Sequence, residues 1–535
     1  NQITLNRLSN RESLTMVNYL LNNADIDKDI EHLILAKTEG IPFFIEEFIK
    51  SLKERNVIEK RNGAYKLIRD FNAISIPSTI QDVIMARVDH LPEGAREVLR
   101  AGSLIEREFS HEMIKRVTGL SEELLLSHLS TLRGAELLYE RGIYPNSTYI
   151  FKHALTREVV HDSILSANRK KLHQKIANSI ETLYENNICD CYGILSNHCM
   201  ACDNYEKAAA YARLEARKYQ KEAAFRDAIE YAKRCIACLE KLPKNEEALK
   251  QLIDARVMLS TYLLNLNHHC EAKEAVEPVI QSAVDLDYQK KLPGIYTAMG
   301  VYYAAVEEDF HKSKKYLKDV SKVAAKVGDF LALWLVNYQM GTMICHDFQF
   351  DESLACLTKN LDLSVLSKKL EAISHSKAAF AFNYNTQGKL DLAFQMSTEA
   401  LEAATESEDI LALQADYANH GASHYYKGNL SEAEKFLCDA LAYYEKASQG
   451  SWGALAAAVM AFVYGDMMEH AKAEIYHNKF INIAERTKFL TSWINAHKLF
   501  CVKQRLLNSD SEIDLNELNA LVAYHEESRL AACES

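Results

Sequence analysis

The sequence predicts a mainly α-helical protein, in which a small helical lid and a winged helix with a two-stranded wing precede an α-solenoid of helix hairpins. Three observations lead to this fold class. Glycine and proline number only 18 and 7 among 535 residues, and no proline follows Pro293, so the turn residues that punctuate sheets are scarce. Small residues recur about every 40 positions in the C-terminal half. The 48% hydrophobic and 25% charged content is that of a globular chain.

The charge is distributed unevenly along the chain. Residues 1–180 hold 25 Lys and Arg against 24 Asp and Glu, whereas residues 181–535 hold 37 against 50. An acidic C-terminal region lacks the basic surface that nucleic acid requires, so we expect no nucleic-acid partner. No apolar run reaches the roughly 20 residues of a membrane-spanning helix, and no span is expected. Twelve scattered cysteines without a secretory signal indicate a cytoplasmic protein.

Residues 1–72 are predicted to form three helices and a hairpin, the end of a larger domain with its helical lid. Ser9 and Glu12 form an S-x-x-E capping box at the start of the first helix. Gly40 ends the second helix, and Pro42 suits the first turn of the third. The turn signal Asn62-Gly63 predicts a hairpin within residues 57–68. Because the first residue is Asn and the opening is already patterned, we expect this chain to be part of a longer protein.

Residues 73–180 read as a winged-helix domain. Several short helices precede two strand-like segments, 136–140 and 148–151, joined by a polar turn. The candidate recognition helix, 121–133, carries Glu122 and Glu123 and a single arginine. A helix that reads DNA is usually cationic, so this one is not expected to do so.

Residues 181–510 carry the repeats, and residues 511–535 are predicted to be a C-terminal tail. Gly428, Ala433 and Ala440 follow Gly421 at spacings of 7, 12 and 19, which match the small positions of a tetratricopeptide hairpin. Small residues also recur at intervals of 40 or 41, where two helices of a hairpin must cross closely: Ala272, Ser313, Ser353, Ala393, Ala433 and Ala473. The prediction is a right-handed solenoid whose concave surface binds a protein or peptide. The oligomeric state stays open.

Catalytic and metal-binding motifs are missing from this sequence. It contains no phosphate-binding P-loop, no H-E-x-x-H and no G-x-S-x-G, so we expect no catalytic site within these residues. The cysteines at 189, 191, 199 and 202, and the C-x-x-C at 235–238, suggest zinc by spacing alone. However, 235–238 lies inside a helix-forming stretch without a turn, and buried structural cysteine is the commoner role. We therefore expect no metal site.

The segment Gly40-Ile41-Pro42-Phe43-Phe44-Ile45-Glu46-Glu47 resembles the G-x-P motif of the STAND class of signalling ATPases. The segments 91–99, 107–109 and 149–159 resemble the start and the close of its winged helix, particularly in the subgroup attached to class III adenylate and guanylate cyclases. The resemblance covers about residues 1–215. It implies that Gly40 and Pro42 lie near a bound adenine and that His153 contacts a nucleotide phosphate. A histidine that only caps or packs at a helix start is the open alternative.

The resemblance implies ATP or ADP with magnesium in the longer protein, and no cofactor within this chain. We therefore expect a regulatory and sensory region, with repeats that bind a protein or small ligand and control an attached nucleotidyl cyclase. The resemblance implies that the longer protein is an adenylate or guanylate cyclase with an ATPase switch domain, although these residues carry no catalytic site of their own. Two alternatives stay open: a repeat scaffold for protein assembly without a nucleotide switch, and a transcription activator of the maltose-regulator type.

Overall fold

The computed structural model describes residues 7–22, 25–54, 57–61, 64–68, 79–222, 224–346, 348–447 and 452–487, with 494–495, 497–499, 519–520 and 522–523. The chain divides after Asn204 into two compact units, which we call unit 1 and unit 2. The predicted Asn62-Gly63 turn, and the predicted tail apart from its four described residues, lie outside the described residues. The finer domain boundaries at 72, 180 and 510 stay predictions.

Unit 1 begins with three helices and a small sheet. The elements are α1 (Asn10–Leu20), β1 (Asp25–Ile26), α2 (Lys28–Thr38), α3 (Pro42–Glu54), β2 (Ile58–Arg61) and β3 (Ala64–Leu67). The capping box is present, because Ser9 caps α1 and Glu12 bonds back to it. Strands β2 and β3 pair antiparallel as the hairpin pattern predicts, and β1 adds to β3 in parallel. Apolar side chains of α1, α2 and α3 form the core of this part.

The second part of unit 1 has the predicted helices and wing. Its elements are α4 (Ile80–Asp89), α5 (Glu93–Ile105), β4 (Glu108–Ser110), α6 (His111–Thr118), α7 (Glu122–Gly134), β5 (Leu138–Arg141), β6 (Thr148–Phe151), α8 (Ala154–Asp162), α9 (Ser166–Leu183) and α10 (Tyr192–Ala201). The wing strands β5 and β6 pair antiparallel, and β4 completes a three-stranded sheet in the order β4-β6-β5. The third strand was not predicted, because three residues carry too short a pattern.

Unit 2 consists of tetratricopeptide-like helix hairpins packed in series. Its helices are α11 (Tyr205–Lys221), α12 (Phe225–Leu239), α13 (Glu246–Asn265), α14 (His269–Val276), α15 (Ile280–Asp285), α16 (Leu292–Ala305), α17 (Phe310–Val327), α18 (Phe330–His346), α19 (Phe350–Ser367), α20 (Leu370–Thr386), α21 (Leu390–Ser407), α22 (Ile410–Tyr426), α23 (Leu430–Ala447), α24 (Trp452–Asp466) and α25 (His470–Thr487). Seven hairpins are formed by a helix and the helix that directly follows it. Their first helices are α11, α13, α16, α18, α20, α22 and α24. This architecture confirms the predicted solenoid.

The repeated small residues lie at the helix crossings. Each is the fourth residue of the second helix of its hairpin, and they are Ala272, Ser313, Ser353, Ala393, Ala433 and Ala473. The first five are at most 2% exposed, and Ala473 is partly exposed. On the facing helix, a Cβ added to Gly421 would lie 2.7 Å from Cγ of Leu437. The small residues that recur about every 40 positions therefore mark close contacts between the two helices of a hairpin, as predicted.

Among the helices of the described residues, none combines the length and the apolar character needed to cross a bilayer.

Candidate functional site

The predicted residues Gly40 and Pro42 lie at the junction of α2 and α3. Gly40 has φ +73°, a left-handed conformation that favours glycine, and its carbonyl accepts a hydrogen bond from the Leu8 amide at 2.8 Å. A Cβ at this position would collide with the carbonyl oxygen of Leu8. Pro42 is the first residue of α3 and is exposed. Local backbone structure thus explains why position 40 is a glycine. The ring of Pro42, in contrast, is accessible to a ligand.

His153 lies next to this junction. It is half-buried at the start of α8, and its ring centroid is 3.9 Å from that of Phe43, the second residue of α3. The Nε2 atom is buried and has no hydrogen-bond partner, and burial lowers the pKa of the imidazole. The structure therefore places His153 in contact with Phe43, the residue after Pro42. A role in binding nucleotide stays a prediction.

Ion pairs surround the His153 imidazole. Lys152 bonds Glu46 at 2.8 Å and Glu136 at 2.9 Å, and Lys50 bonds the same two carboxylates. Hydrogen bonds from Lys50 and Lys152 lower the pKa of Glu136 to about 2. This cluster joins α3 to the residues that flank the wing.

A second pair beside this cluster is buried. Glu47 of α3 is 2% exposed and pairs with Arg87 of α4, which is 7% exposed and also donates to the carbonyl of Ala135. Each buried charge therefore has its counter-ion, as burial requires. Among the described residues around His153, three carboxylates face three cationic side chains, so these groups supply no excess positive charge to attract a phosphate.

One group of side chains in unit 1 has metal-like spacing. Ligand atoms of Glu46, Glu47 and His153 lie within 4.8 Å of one another. However, both carboxylates already bond cationic side chains, which a metal ion would have to displace. The existing cationic partners thus explain this group of side chains as an ion-pair cluster without a metal ion.

The cysteines offer no further ligand group of this spacing in the described part of the chain. Cys189 is exposed, Cys199 is buried, and Cys202 bonds Gln174 at 3.4 Å. Cys235 and Cys238 are buried inside α12, and burial raises the pKa of Cys235 to about 12. The prediction that no zinc binds stays open to elemental analysis.

Unit 2 contains a cavity that the sequence did not reveal. Its volume is about 320 Å³, within the range of roughly 300–1,000 Å³ usual for ligand pockets. The first helices of six hairpins contribute to its wall, namely α13, α16, α18, α20, α22 and α24. Because these segments span more than 200 residues of sequence, no local motif could have predicted them as one site.

The wall of this cavity is uncharged. Charged residues make up 25% of the chain, yet none of the 22 described residues that line the cavity is Asp, Glu, Lys or Arg. Burial lowers the pKa values of His269 and His346 to about 4, so both imidazoles are neutral at pH 7. The indoles of Trp334 and Trp452 also line the cavity. Such a wall favours an apolar occupant.

Gln414 of α22 is the unusual polar residue in this wall. Its side chain is 1% exposed, and neither its Nε2 nor its Oε1 has a hydrogen-bond partner. By contrast, the indole of Trp334 donates to Ser364 at 2.6 Å, and Asn360 donates to the carbonyl of Trp334 at 2.7 Å. Buried amides without partners are uncommon and require an explanation.

Comparisons with known proteins give matches of limited extent. A protein family described as a domain of unknown function (DUF8739) matches residues 9–66. No curated protein matches the sequence.

Three solved structures are similar in part. The first is a Signal Transduction ATPase with Numerous Domains (STAND) protein with a tetratricopeptide repeat sensor from Pyrococcus horikoshii, at TM-score 0.49 and 15% identity over 100% of this chain and 74% of that one. A Rap protein complexed with competence and sporulation factor gives 0.47 and 18% over 61% and 88%. NprR in complex with its cognate peptide NprX gives 0.41 and 15% over 54% and 85%. Scores below 0.5 carry no inference about what this chain binds.

Proposed function

We propose that unit 2 is a sensor module that binds a peptide, protein segment or small ligand in its inner cavity. The observation that carries this proposal is the uncharged cavity of about 320 Å³, walled by the first helices of six hairpins. A ligand in this position contacts several repeats at once. Since neighbouring repeats carry the stability of a solenoid, such contacts couple binding to the packing of the whole array.

The cavity can be blocked by introducing a charge. Leu455 lines it from α24 and is only partly buried, so Leu455→Arg places a guanidinium in an uncharged space. Leu366, at the end of α19, is 71% exposed and lies outside the cavity, which makes Leu366→Arg the matched control. The test incubates the 535-residue chain with a mixed pool of peptides and small-molecule fragments and identifies the retained compounds by mass spectrometry.

The proposal predicts that the wild-type chain and Leu366→Arg retain the same compounds and that Leu455→Arg loses them. Melting curves of all three chains control for unfolding. Equal retention by Leu455→Arg at an unchanged melting temperature would assign the binding to another surface, and no retention by the wild type would remove the sensor proposal.

The output proposed for this sensor is the control of an attached nucleotidyl cyclase in a STAND-type signalling ATPase. Support comes from the sequence resemblance at 40–47, 91–99 and 149–159. In the longer protein, Leu455→Arg should alter the regulation of cyclase activity without changing its catalytic residues. Unchanged regulation would favour the scaffold alternative, in which the repeats only assemble proteins.

A nucleotide site in the longer protein is proposed at Gly40, Pro42 and His153. Pro42 is exposed, and the Nε2 atom of His153 has no partner, so both can accept contacts from a nucleotide. ATP or ADP with magnesium would supply the switch, and its phosphate-binding loop must come from residues outside this chain. Exchange of His153 for Ala in the longer protein should weaken ADP retention, and unchanged retention would leave His153 as a packing residue.

A further inference from the structure

We infer that the ligand of the unit 2 cavity is a short, uncharged, apolar peptide segment, one residue of which hydrogen-bonds the Gln414 side chain through its main-chain N–H and C=O. This inference rests on the proposed function and adds the chemical class of the ligand. It also assigns a binding role to a residue that no sequence motif marks.

The absence of charge in the wall selects against charged ligands. Transfer of an ionised group from water into a confined apolar space is unfavourable unless a counter-ion or several hydrogen bonds receive it. The described residues lining the cavity include no Lys or Arg to receive a carboxylate and no Asp or Glu to receive an ammonium group. A ligand that enters with its charge therefore loses hydration without compensation.

The aromatic and aliphatic lining favours bulky apolar side chains. Trp334, Tyr338, Trp452, Leu455 and Phe480 face the same space from α18, α24 and α25. Aromatic faces of this kind bind apolar groups through large contact areas. A volume of about 320 Å³ is at the lower end of the pocket range, which suits a few side chains of an extended segment and excludes a folded domain.

Gln414 distinguishes a peptide from other apolar ligands. Its carboxamide offers one acceptor and two donor hydrogens, and both polar atoms are buried without a partner. The N–H and C=O of one residue in an extended peptide point to the same side, so the main chain of a single residue can satisfy both atoms of Gln414. A hydrocarbon chain satisfies neither, and a fatty acid brings a carboxylate. Further amides in the wall, those of Gln339, Asn265 and Asn267, suit the same main-chain recognition.

The test uses a pool of N-acetylated, C-amidated octapeptides, half without charged residues and half with one Asp, Glu, Lys or Arg. The 535-residue chain is incubated with the pool, and retained peptides are identified after gel filtration. The inference predicts that retained peptides come from the uncharged half and are enriched in aromatic and leucine side chains. Affinities are then measured by tryptophan fluorescence, because two of the three tryptophans line the cavity.

Gln414→Leu removes the donor and acceptor at similar size and should weaken binding of the best peptide at least tenfold. Gln395→Leu is the matched control, since Gln395 is exposed on α21 and lies outside the cavity. The affinity of this variant for the best peptide should stay within twofold of the wild-type value. A second measurement is independent of how Gln414→Leu folds. Each peptide bond of the best peptide is N-methylated in turn, and one position should lose at least tenfold affinity for the wild-type chain.

Several results overturn the inference. Retention of charged peptides would contradict the ligand class, and equal affinities for wild type and Gln414→Leu, or tolerance of N-methylation at every position, would contradict the peptide-group contact. If the chain retains only small-molecule fragments, and Leu455→Arg loses them, the peptide class is wrong while the proposed function stands. If the wild type retains neither peptides nor fragments, both fail.

Discussion

The close crossing of α22 and α23 can be tested by adding a single methyl group. In Gly421→Ala the new Cβ would lie 2.7 Å from Cγ and 3.2 Å from the backbone nitrogen of Leu437, so α23 must shift to admit it. Overpacking of this kind costs about 1–3 kcal/mol. Exchange of an interior helix glycine for alanine gains roughly 1 kcal/mol from backbone propensity. The two effects oppose each other, and we expect a net loss of about 1 kcal/mol in the free energy of unfolding.

Urea unfolding followed by tryptophan fluorescence measures this change, because the described tryptophans, Trp334 and Trp452, both belong to unit 2. A double-mutant cycle with Leu437→Ala isolates the collision, since Leu437 is fully buried and supplies the nearest atoms. The coupling energy should be about 1–3 kcal/mol, with the double mutant more stable than the two single losses predict. A stabilised Gly421→Ala variant, or additive losses, would refute the crossing.

Three other predictions concern buried charge and nucleotide. Burial raises the pKa of Asp416 from 3.8 to about 6, so the folded state binds more protons than the unfolded state. The free energy of unfolding should therefore fall by about 3 kcal/mol as pH rises from about 4 to 6, and Asp416→Asn should abolish that fall in urea titrations across pH. Glu47→Gln removes the buried carboxylate that pairs with Arg87 and should cost about 3–5 kcal/mol by circular dichroism, whereas Glu59→Gln, from an exposed pair, should cost under about 0.5 kcal/mol; equal losses would contradict this. By calorimetry, the chain should bind ATP no tighter than about 1 mM, because it lacks a phosphate-binding loop, and micromolar binding would show a site in these residues.

Local patterns predicted the elements whose cause is local. The capping box at Ser9 and the proline at the start of α3 act within one helical turn, and both are present. The 40-residue period was predictive because each crossing requires a small side chain at the same place in every hairpin, as at Ala393 and Ala433. Strand β4 was not predicted, because its three residues pair with a strand about 40 residues further along the chain.

The candidate sites depend on contacts that sequence spacing does not encode. The ring contact of His153 with Phe43 joins residues 110 positions apart, and only the resemblance suggested that these segments belong together. The cavity of unit 2 depends on how successive hairpins are rotated, which is set by packing over the whole array. Gln414 belongs to no motif, and its significance comes from burial without a partner.

The central claim is that a ligand binds in the unit 2 cavity, which the first helices of the hairpins line. Hydrogen–deuterium exchange tests this claim most directly. Exchange is measured on the 535-residue chain with and without the peptide that it retains most tightly. The account predicts slower exchange in α18, α20 and α22, which line the cavity, and little change in α17, α19 and α21, which contribute no lining residue. Protection confined to α17, α19 and α21, or to unit 1, would contradict it.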